Sequence, residues 1–283
     1  MTELTRVLSF GAGVQSTALL LMSIRGELPM LDYAIFADVG WEPKEVYEHL
    51  EWCEEQAAAA GIQLVRVSHR KGKLRETTIA SLHDPDIRVA SIPFFIRQAD
   101  GSIGMVRRQC TREYKVEPIE RYMRREIIGL KHRQRAPKEV KIEQWMGISF
   151  DEVIRAKPSQ VPWKVHAFPF VGIECDYLDK VWRRIDCIRW LEKHYPERTI
   201  PRSACIGCPY HSNEEWRRIK DSPDEWADAV EFDRACRRPG RGMEGEQYLH
   251  RSCIPLDQVD LRTDAEKGQP DLWGNECEGM CGM

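Results

Sequence analysis

The chain has 283 residues, of which 42% are hydrophobic and 31% charged, with a formal net charge of -3. That balance excludes a disordered or fibrous protein, and no stretch reaches the ~18 uninterrupted apolar residues that a membrane-spanning helix needs. Residues 1–5 are polar and run straight into a strand-like segment rather than a signal sequence. A cytoplasmic, reducing setting is therefore expected, in which 10 cysteines point to thiol, metal or cluster chemistry rather than to a disulfide framework.

In chain order, residues 6–10 predict a first strand, 11–15 a glycine-containing turn, and 16–25 a helix with Leu19, Leu20 and Met22 on its apolar side. A short apolar run at 33–37, ending at Asp38, predicts a buried second strand. Residues 42–60 predict a helix with Val46, Leu50 and Cys53 in step. Gly61 stops it before a third strand at 63–67. This alternation is that of a parallel sheet with helices on its faces, a doubly wound α/β fold. Residues 70–110 are expected to be irregular, 113–128 helical, 141–147 a return to the sheet, and 176–194 an amphipathic helix. Short helices are expected at 213–220 and 224–236, and a loosely ordered acidic tail after Gln258. The composition shift after Pro201 suggests a nucleotide-binding domain over 1–195 and a smaller cysteine-bearing region over 196–283.

The strand-to-helix turn carries the first chemical signal. Gly11 and Gly13 let backbone N–H groups converge on an anion at a helix N-terminus, and Ser9, Ser16 and Thr17 bring hydroxyl groups to the same place. No Gly-Lys-Ser/Thr follows, which excludes a Walker A loop. Gly11-x-Gly13-x-x-Ser16 also approaches the dinucleotide fingerprint, with Asp38 as a ribose acid. That residue lies 27 positions beyond Gly11, against the usual ~20. By itself the loop leaves both readings open.

Further segments break the tie. Ser9-Phe10-Gly11-Ala12-Gly13-Val14-Gln15-Ser16-Thr17 resembles the pyrophosphate loop of the PP-loop ATP pyrophosphatases and phosphoadenylyl-sulfate (PAPS) reductases. Phe36-Ala37-Asp38-Val39-Gly40-Trp41-Glu42 is similar to their second-strand motif. Residues 110–119, from Cys110 through Lys115 to Ile119, resemble their Cys-x-x-x-x-Lys-Val-x-Pro-Leu segment. Residues 147–155 resemble their Gly-Ile-Ser-x-Asp-Glu-x-x-Arg stretch. The resemblance covers about the first half of the chain, in the family's order. It implies an adenine nucleotide alpha hydrolase-like fold with ATP, or adenylyl sulfate, and Mg2+ at the carboxyl ends of the strands. On this resemblance Ser9, Gly11, Gly13, Gln15, Ser16 and Thr17 hold phosphates and Asp38 lies near the nucleotide. Ser149, Asp151, Glu152 and Arg155 line the opposite rim, with Arg155 suited to a bidentate phosphate contact.

Among the cysteines, Cys205-Ile206-Gly207-Cys208 has metal-ligand spacing. With Cys110 it resembles the three-cysteine pattern of cluster-dependent members of the superfamily. This implies a [4Fe-4S] cluster, with zinc, completed by Cys277 and Cys281, as the alternative. Cys53, Cys175 and Cys187 fall within helical apolar patterns and are expected in the core. The tail around Cys277 and Cys281 resembles, loosely, the Glu-Cys-Gly tail that carries the nucleophilic cysteine of sulfonucleotide reductases. Residues 97–141 carry 13 Lys/Arg against 6 Asp/Glu, which suggests a phosphate-bearing or nucleic-acid substrate. The expected function is ATP-dependent adenylation with pyrophosphate release, coupled to sulfur transfer, as in tRNA thiolation or DNA phosphorothioation. A cysteine desulfurase or thiol reductant would then be a partner. An assimilatory reductase and a non-catalytic nucleotide-binding subunit are the alternatives.

Overall fold

A computed structural model describes residues 4–84, 86–87, 91–238, 245–263 and 266–267. Among them the chain forms β1 (Thr5–Phe10), α1 (Val14–Ile24), β2 (Tyr33–Asp38), α2 (Lys44–Ala59), β3 (Gln63–Ser68) and α3 (Leu74–His83). Two short strands follow, β4 (Phe95–Arg97) and β5 (Ile103–Met105), then the π-helical stretch Thr111–Val116, α4 (Glu117–Tyr122) and a second π-helical stretch, Met123–Ile127. Next come β6 (Ile142–Met146), a 3-10 stretch Phe150–Arg155, β7 (Lys164–Ala167), α5 (Arg184–His194), α6 (Asn213–Asp221), α7 (Pro223–Ala235) and β8 (Glu246–Tyr248). None of these helices is long and apolar enough to cross a membrane.

The chain divides into two compact units. One takes the chain up to Asp38, Lys44–Val67 and Val116–Ser203; the other takes Val39–Pro43, Ser68–Lys115 and the chain from Ala204 onward. This differs from a division into 1–195 and 196–283. Residues 39–43 and 68–115 fold with the C-terminal part because Trp41, Leu74, Ile92 and Phe94 share a buried core with Trp216, Phe232 and Leu249.

The first unit is the expected α/β fold, a five-stranded parallel sheet in the order β3-β2-β1-β6-β7 with helices packed on it. Val7 and Leu8 of β1 are fully buried, on opposite faces of the strand, because a central strand of such a sheet is covered on both sides. Helix α1 buries Ala18, Leu19, Leu20, Leu21 and Met22 almost completely, so it is a core helix rather than an amphipathic surface one. The helix expected over 176–194 begins only at Arg184. Its first part is diverted because the Trp182 backbone is bonded sideways: its N–H donates to Phe170 O at 2.7 Å and its carbonyl accepts from Phe150 N at 2.8 Å.

The second unit contains a three-stranded antiparallel sheet in the order β5-β4-β8. Residues 70–110, expected to be irregular, hold α3 and the β4–β5 hairpin, whose turn uses Gly101 at φ 82°. Three-residue strands carry no readable alternation; β4 is secured by pairing Phe95 with Tyr248 of β8, far along the chain. Helix α6 starts on a capping box in which Ser212 Oγ accepts from Glu215 N at 3.3 Å and Glu215 Oε2 accepts from Ser212 N at 2.7 Å. Beyond Gln258 the described residues are tied down: Leu261 is buried, and Asn213 donates to Arg262 O at 2.6 Å.

Candidate functional site

In the first unit the strand order reverses between β1 and β6. The carboxyl ends of those two strands lead into the glycine loop and into residues 147–155. Open α/β sheets bind ligands at such a reversal, where neighbouring loops part in opposite directions. Ala12 takes the left-handed conformation (φ 57°), and α1 starts at Gly13 with no side-chain cap and no acidic residue in its first turn. Such an uncapped helix start suits an anion. The two loops touch at Gly147, where a Cβ would stand 3.0 Å from Ser16 N and 3.3 Å from the Gln15 backbone. A side chain there would require the neighbouring loop to give by a few tenths of an ångström.

The side chains expected to hold phosphate are sorted by their partners. Gln15, Glu152 and Arg155 come together: Glu152 Oε2 accepts from Gln15 Nε2 at 3.3 Å, and Arg155 Nη1 donates to Glu152 Oε1 at 2.6 Å. Burial pushes the Glu152 carboxyl up from its ordinary range, against the opposing pull of Arg155. Three hydroxyl groups face protein instead. Ser16 Oγ accepts from Gly11 N and donates to Gly13 O, each at 3.2 Å, and so shapes the loop. Ser9 Oγ accepts from Gln144 Nε2 at 2.6 Å, and Gln144 in turn accepts from the buried Lys164 at 2.9 Å. Thr17 is fully buried against His49 Nε2 at 3.0 Å. Helical spacing turns its side chain into the core. Burial pushes His49 down to about 4 and the neighbouring Cys53 thiol up to about 12.

On the opposite rim, Ser149 is buried and its hydroxyl donates to Asp151 Oδ2 at 3.4 Å, while the same oxygen accepts from Arg184 N at 2.6 Å. Asp151 thus anchors the start of α5. Asp38 Oδ1 accepts from Tyr47 OH at 2.8 Å. Ser203 went unnoticed in the sequence, yet a Cβ placed on Gly13 would lie 3.6 Å from its Cβ, and one on Gly11 4.0 Å from its Oγ. No motif marks it; only the fold brings it to the loop.

The second unit holds Cys110, Cys205 and Cys208. All three line one small, partly open pocket, with Val39, Trp41, Leu74, Ile92 and Pro93 as apolar wall and Arg108, Thr111 and Lys115 as polar members. The Cys205–Cys208 turn is closed by Cys208 N donating to Cys205 O at 3.0 Å, and Ile206 N donates to Trp41 O at 2.9 Å. His211 Nε2 lies 2.8 Å from the Cys205 carbonyl oxygen, and as the nitrogen facing an acceptor it carries the proton. Gly207 packs so closely on Trp41 that a Cβ would stand 2.0 Å from the indole. Behind the wall, fully buried Glu42 pairs with Lys115 Nζ at 3.2 Å and lies 3.9 Å from Cys205 Sγ.

Among the described residues no group of three or more His, Cys, Asp or Glu side chains is placed to hold a metal ion. A lone zinc would need its thiolates within ~2.3 Å of one point. A four-iron cube asks less, since each cysteine meets a different corner. Cys110, Cys205 and Cys208 line one pocket, without the convergence on a single point that a lone metal ion requires. Cys277 and Cys281 lie outside the described residues. Cys53, Cys187, Cys236 and Cys253 are buried and Cys175 is partly so; burial pushes Cys175 and Cys236 up to about 12. The basic segment 97–141 is shared between the units at Lys115. Arg97 bonds the Cys253 carbonyl oxygen, and Arg125 donates to Leu130 O at 2.7 Å.

The fold is that of an α/β protein, with a glycine loop at the reversal point of its parallel sheet. No family model matches the chain, and no curated protein matches its sequence. Among solved structures it is similar to a phosphoadenylyl-sulfate (PAPS) reductase from Candida auris in a phosphate complex. That likeness is 13% identical, covers 68% of this chain and 74% of that chain, and has a TM-score of 0.41.

Proposed function

We propose that this chain is an enzyme of the PP-loop type that adenylates an acceptor with release of pyrophosphate and couples this to sulfur transfer. The observation that carries the reading is the meeting of the glycine loop with residues 147–155 at the reversal point of the sheet. There Gly147 packs on the first turn of α1, and Gln15 and Arg155 share one carboxylate. The uncapped start of α1, Arg155 and Ser203 would hold the phosphates, and Mg2+ would be held largely by phosphate oxygens and water. Adenylation turns an acceptor oxygen into a good leaving group, which a sulfur nucleophile can displace.

Cys110, Cys205 and Cys208 would hold a [4Fe-4S] group, which when bound would supply an open iron site for sulfur. The chain's own contribution is to exclude water with the Trp41, Leu74 and Ile92 wall and to keep Lys115 beside the thiols, paired with Glu42. Cys277 and Cys281 remain candidates for a tail nucleophile. The acceptor class includes nucleic acid, approached through the basic residues of 97–141, and a cysteine desulfurase or thiol reductant would supply the sulfur or electrons.

The test is ATP–pyrophosphate exchange by anaerobically purified protein, with iron and sulfide assays on the same sample. Exchange with candidate acceptors supports the adenylation reading. Turnover of adenylyl sulfate without exchange identifies an assimilatory reductase instead. Absence of adenine-nucleotide binding sinks both.

A further inference from the structure

We infer that Glu152 is a latch on the phosphate site: a positioning residue that holds Arg155 and Gln15 until a polyphosphate displaces it. The inference rests on the glycine loop being a pyrophosphate cradle, and concerns the sign of the Glu152 contribution there.

Both carboxylate oxygens are in use. Oε1 takes Arg155 Nη1 at 2.6 Å and Oε2 takes Gln15 Nε2 at 3.3 Å. Arg155 ends the 3-10 stretch that follows β6, and Gln15 lies in the first turn of α1. One carboxylate therefore cross-links the two segments that leave the sheet at its reversal point. Glu152 leaves the helical path within that stretch (φ -117°, ψ 17°), and its side chain is only 11% exposed. A half-buried pair of this kind is screened less by salt than a surface pair.

Two roles predict opposite effects. A carboxylate that reaches the ligand through a metal ion would aid binding; one that occupies the cation meant for phosphate would oppose it. Here the oxygens already hold the two donors that a phosphate would use. A phosphate offers Arg155 the same forked geometry with more charge. Two anions on one guanidinium repel, so the arriving ligand must open the Glu152–Arg155 pair. A ligand with little charge cannot repay that opening, whereas pyrophosphate or a nucleoside triphosphate can. Glu152 thereby sets a preference for polyphosphate over a single phosphate.

The experiment is calorimetric titration of the full chain with pyrophosphate and with orthophosphate, first in chelator and then with Mg2+. Glu152→Gln keeps size and shape while removing charge. It should bind pyrophosphate roughly three- to tenfold more tightly than wild type, the release expected for a partly buried ion pair. The preference over orthophosphate should narrow, and Arg155→Ala added to Glu152→Gln should cancel the gain. Binding by the Glu152→Gln protein alone would also support the latch. Unchanged or weaker binding by that variant, beside a wild type that binds, overturns the latch and leaves the cradle standing. Loss of binding only with Mg2+ present makes Glu152 a metal ligand and likewise overturns it. Failure of both proteins to bind pyrophosphate or ATP removes the cradle, and the latch with it.

Discussion

The two units build their sites in different ways. In the first, the site is made by backbone: two loops leave neighbouring parallel strands, and glycines let them approach. Several of its buried polar groups meet one another, as where Lys164 bonds both Glu120 (2.8 Å) and Gln144 (2.9 Å) and Gln144 bonds Ser9. In the second, the site is made by side chains from distant segments, Trp41, Leu74, Cys110 and Cys205 around one cavity. There Glu42 Oε2 and Trp216 Nε1 are buried with no hydrogen-bond partner. Buried polar atoms are nearly always satisfied, so such unmet atoms are exceptions within a packed core. The contrast teaches that backbone-built sites tolerate side-chain change and are sensitive to glycine loss. Cavity-built sites depend on packing throughout.

The largest expected effect tests the cavity. Gly207→Ala places a Cβ 2.0 Å from the Trp41 indole, against a wall that is already packed. It should lower stability by about 3 kcal/mol and disturb the cysteine turn. Urea unfolding reads the first effect and iron content after anaerobic reconstitution the second. A variant as stable as wild type would show that Trp41 can move aside and that the cavity is softer than described.

Next in size is a pH effect that both units should share. His49 in the first and His250 in the second are each pushed down to about 4, chiefly by burial. The unfolded chain takes up these protons first, near pH 6.5, so stability is full above that value. It is lost as pH falls toward 4, by at most about 3 kcal/mol for each histidine. Denaturant midpoints measured from pH 7 to pH 4.5 check this. His49→Gln should flatten the first unit's share. A flat profile in the wild type would mean that the histidines are reached by water.

A pair of smaller substitutions sharpens the account of the glycine loop. Thr17→Val should cost about 1 kcal/mol of stability by breaking the bond to His49, with nucleotide affinity unchanged. Ser203→Ala should do the reverse, weakening nucleotide binding by roughly 0.5–1.5 kcal/mol at constant stability. Isothermal titration with ATP beside thermal unfolding separates them; the opposite pattern would restore Thr17 as a phosphate residue.

The smallest effect is a difference in rate. Cys110, Cys205 and Cys208 are partly exposed, whereas Cys53, Cys187 and Cys236 are buried and their thiols are held above the ordinary range. Iodoacetamide should label the first group well before the second, since the thiolate is the reactive form. Peptide mass spectrometry gives the order, and early modification of Cys53 or Cys236 would show the cores to be open.

Much of the first unit was legible because its signals are local. A strand, a glycine turn and a helix succeed one another within 25 residues of the chain start, and each is specified by neighbours in sequence. The turn that carries Gly11, Gly13 and Gln15 lies where that local pattern places it, between β1 and α1. The burial of Thr17 against His49 was not legible, because motif adjacency says nothing about which way a helical side chain faces. The helix assigned to 176–194 was too long because Leu178 and Trp182 fit a helical period while their backbone bonds elsewhere.

By itself, then, the sequence determined the parallel α/β core, the position of its glycine turn and the short helices of the C-terminal part. Each depends on hydrophobic period, glycine placement and capping over a few residues. Tertiary structure alone decided that residues 39–43 and 68–115 fold with the C-terminal part, that β4 pairs with β8, and that Ser203 lies on the glycine loop. Those contacts join residues far apart in the chain, where the free energy comes from burying particular surfaces against each other and no local pattern encodes the partner.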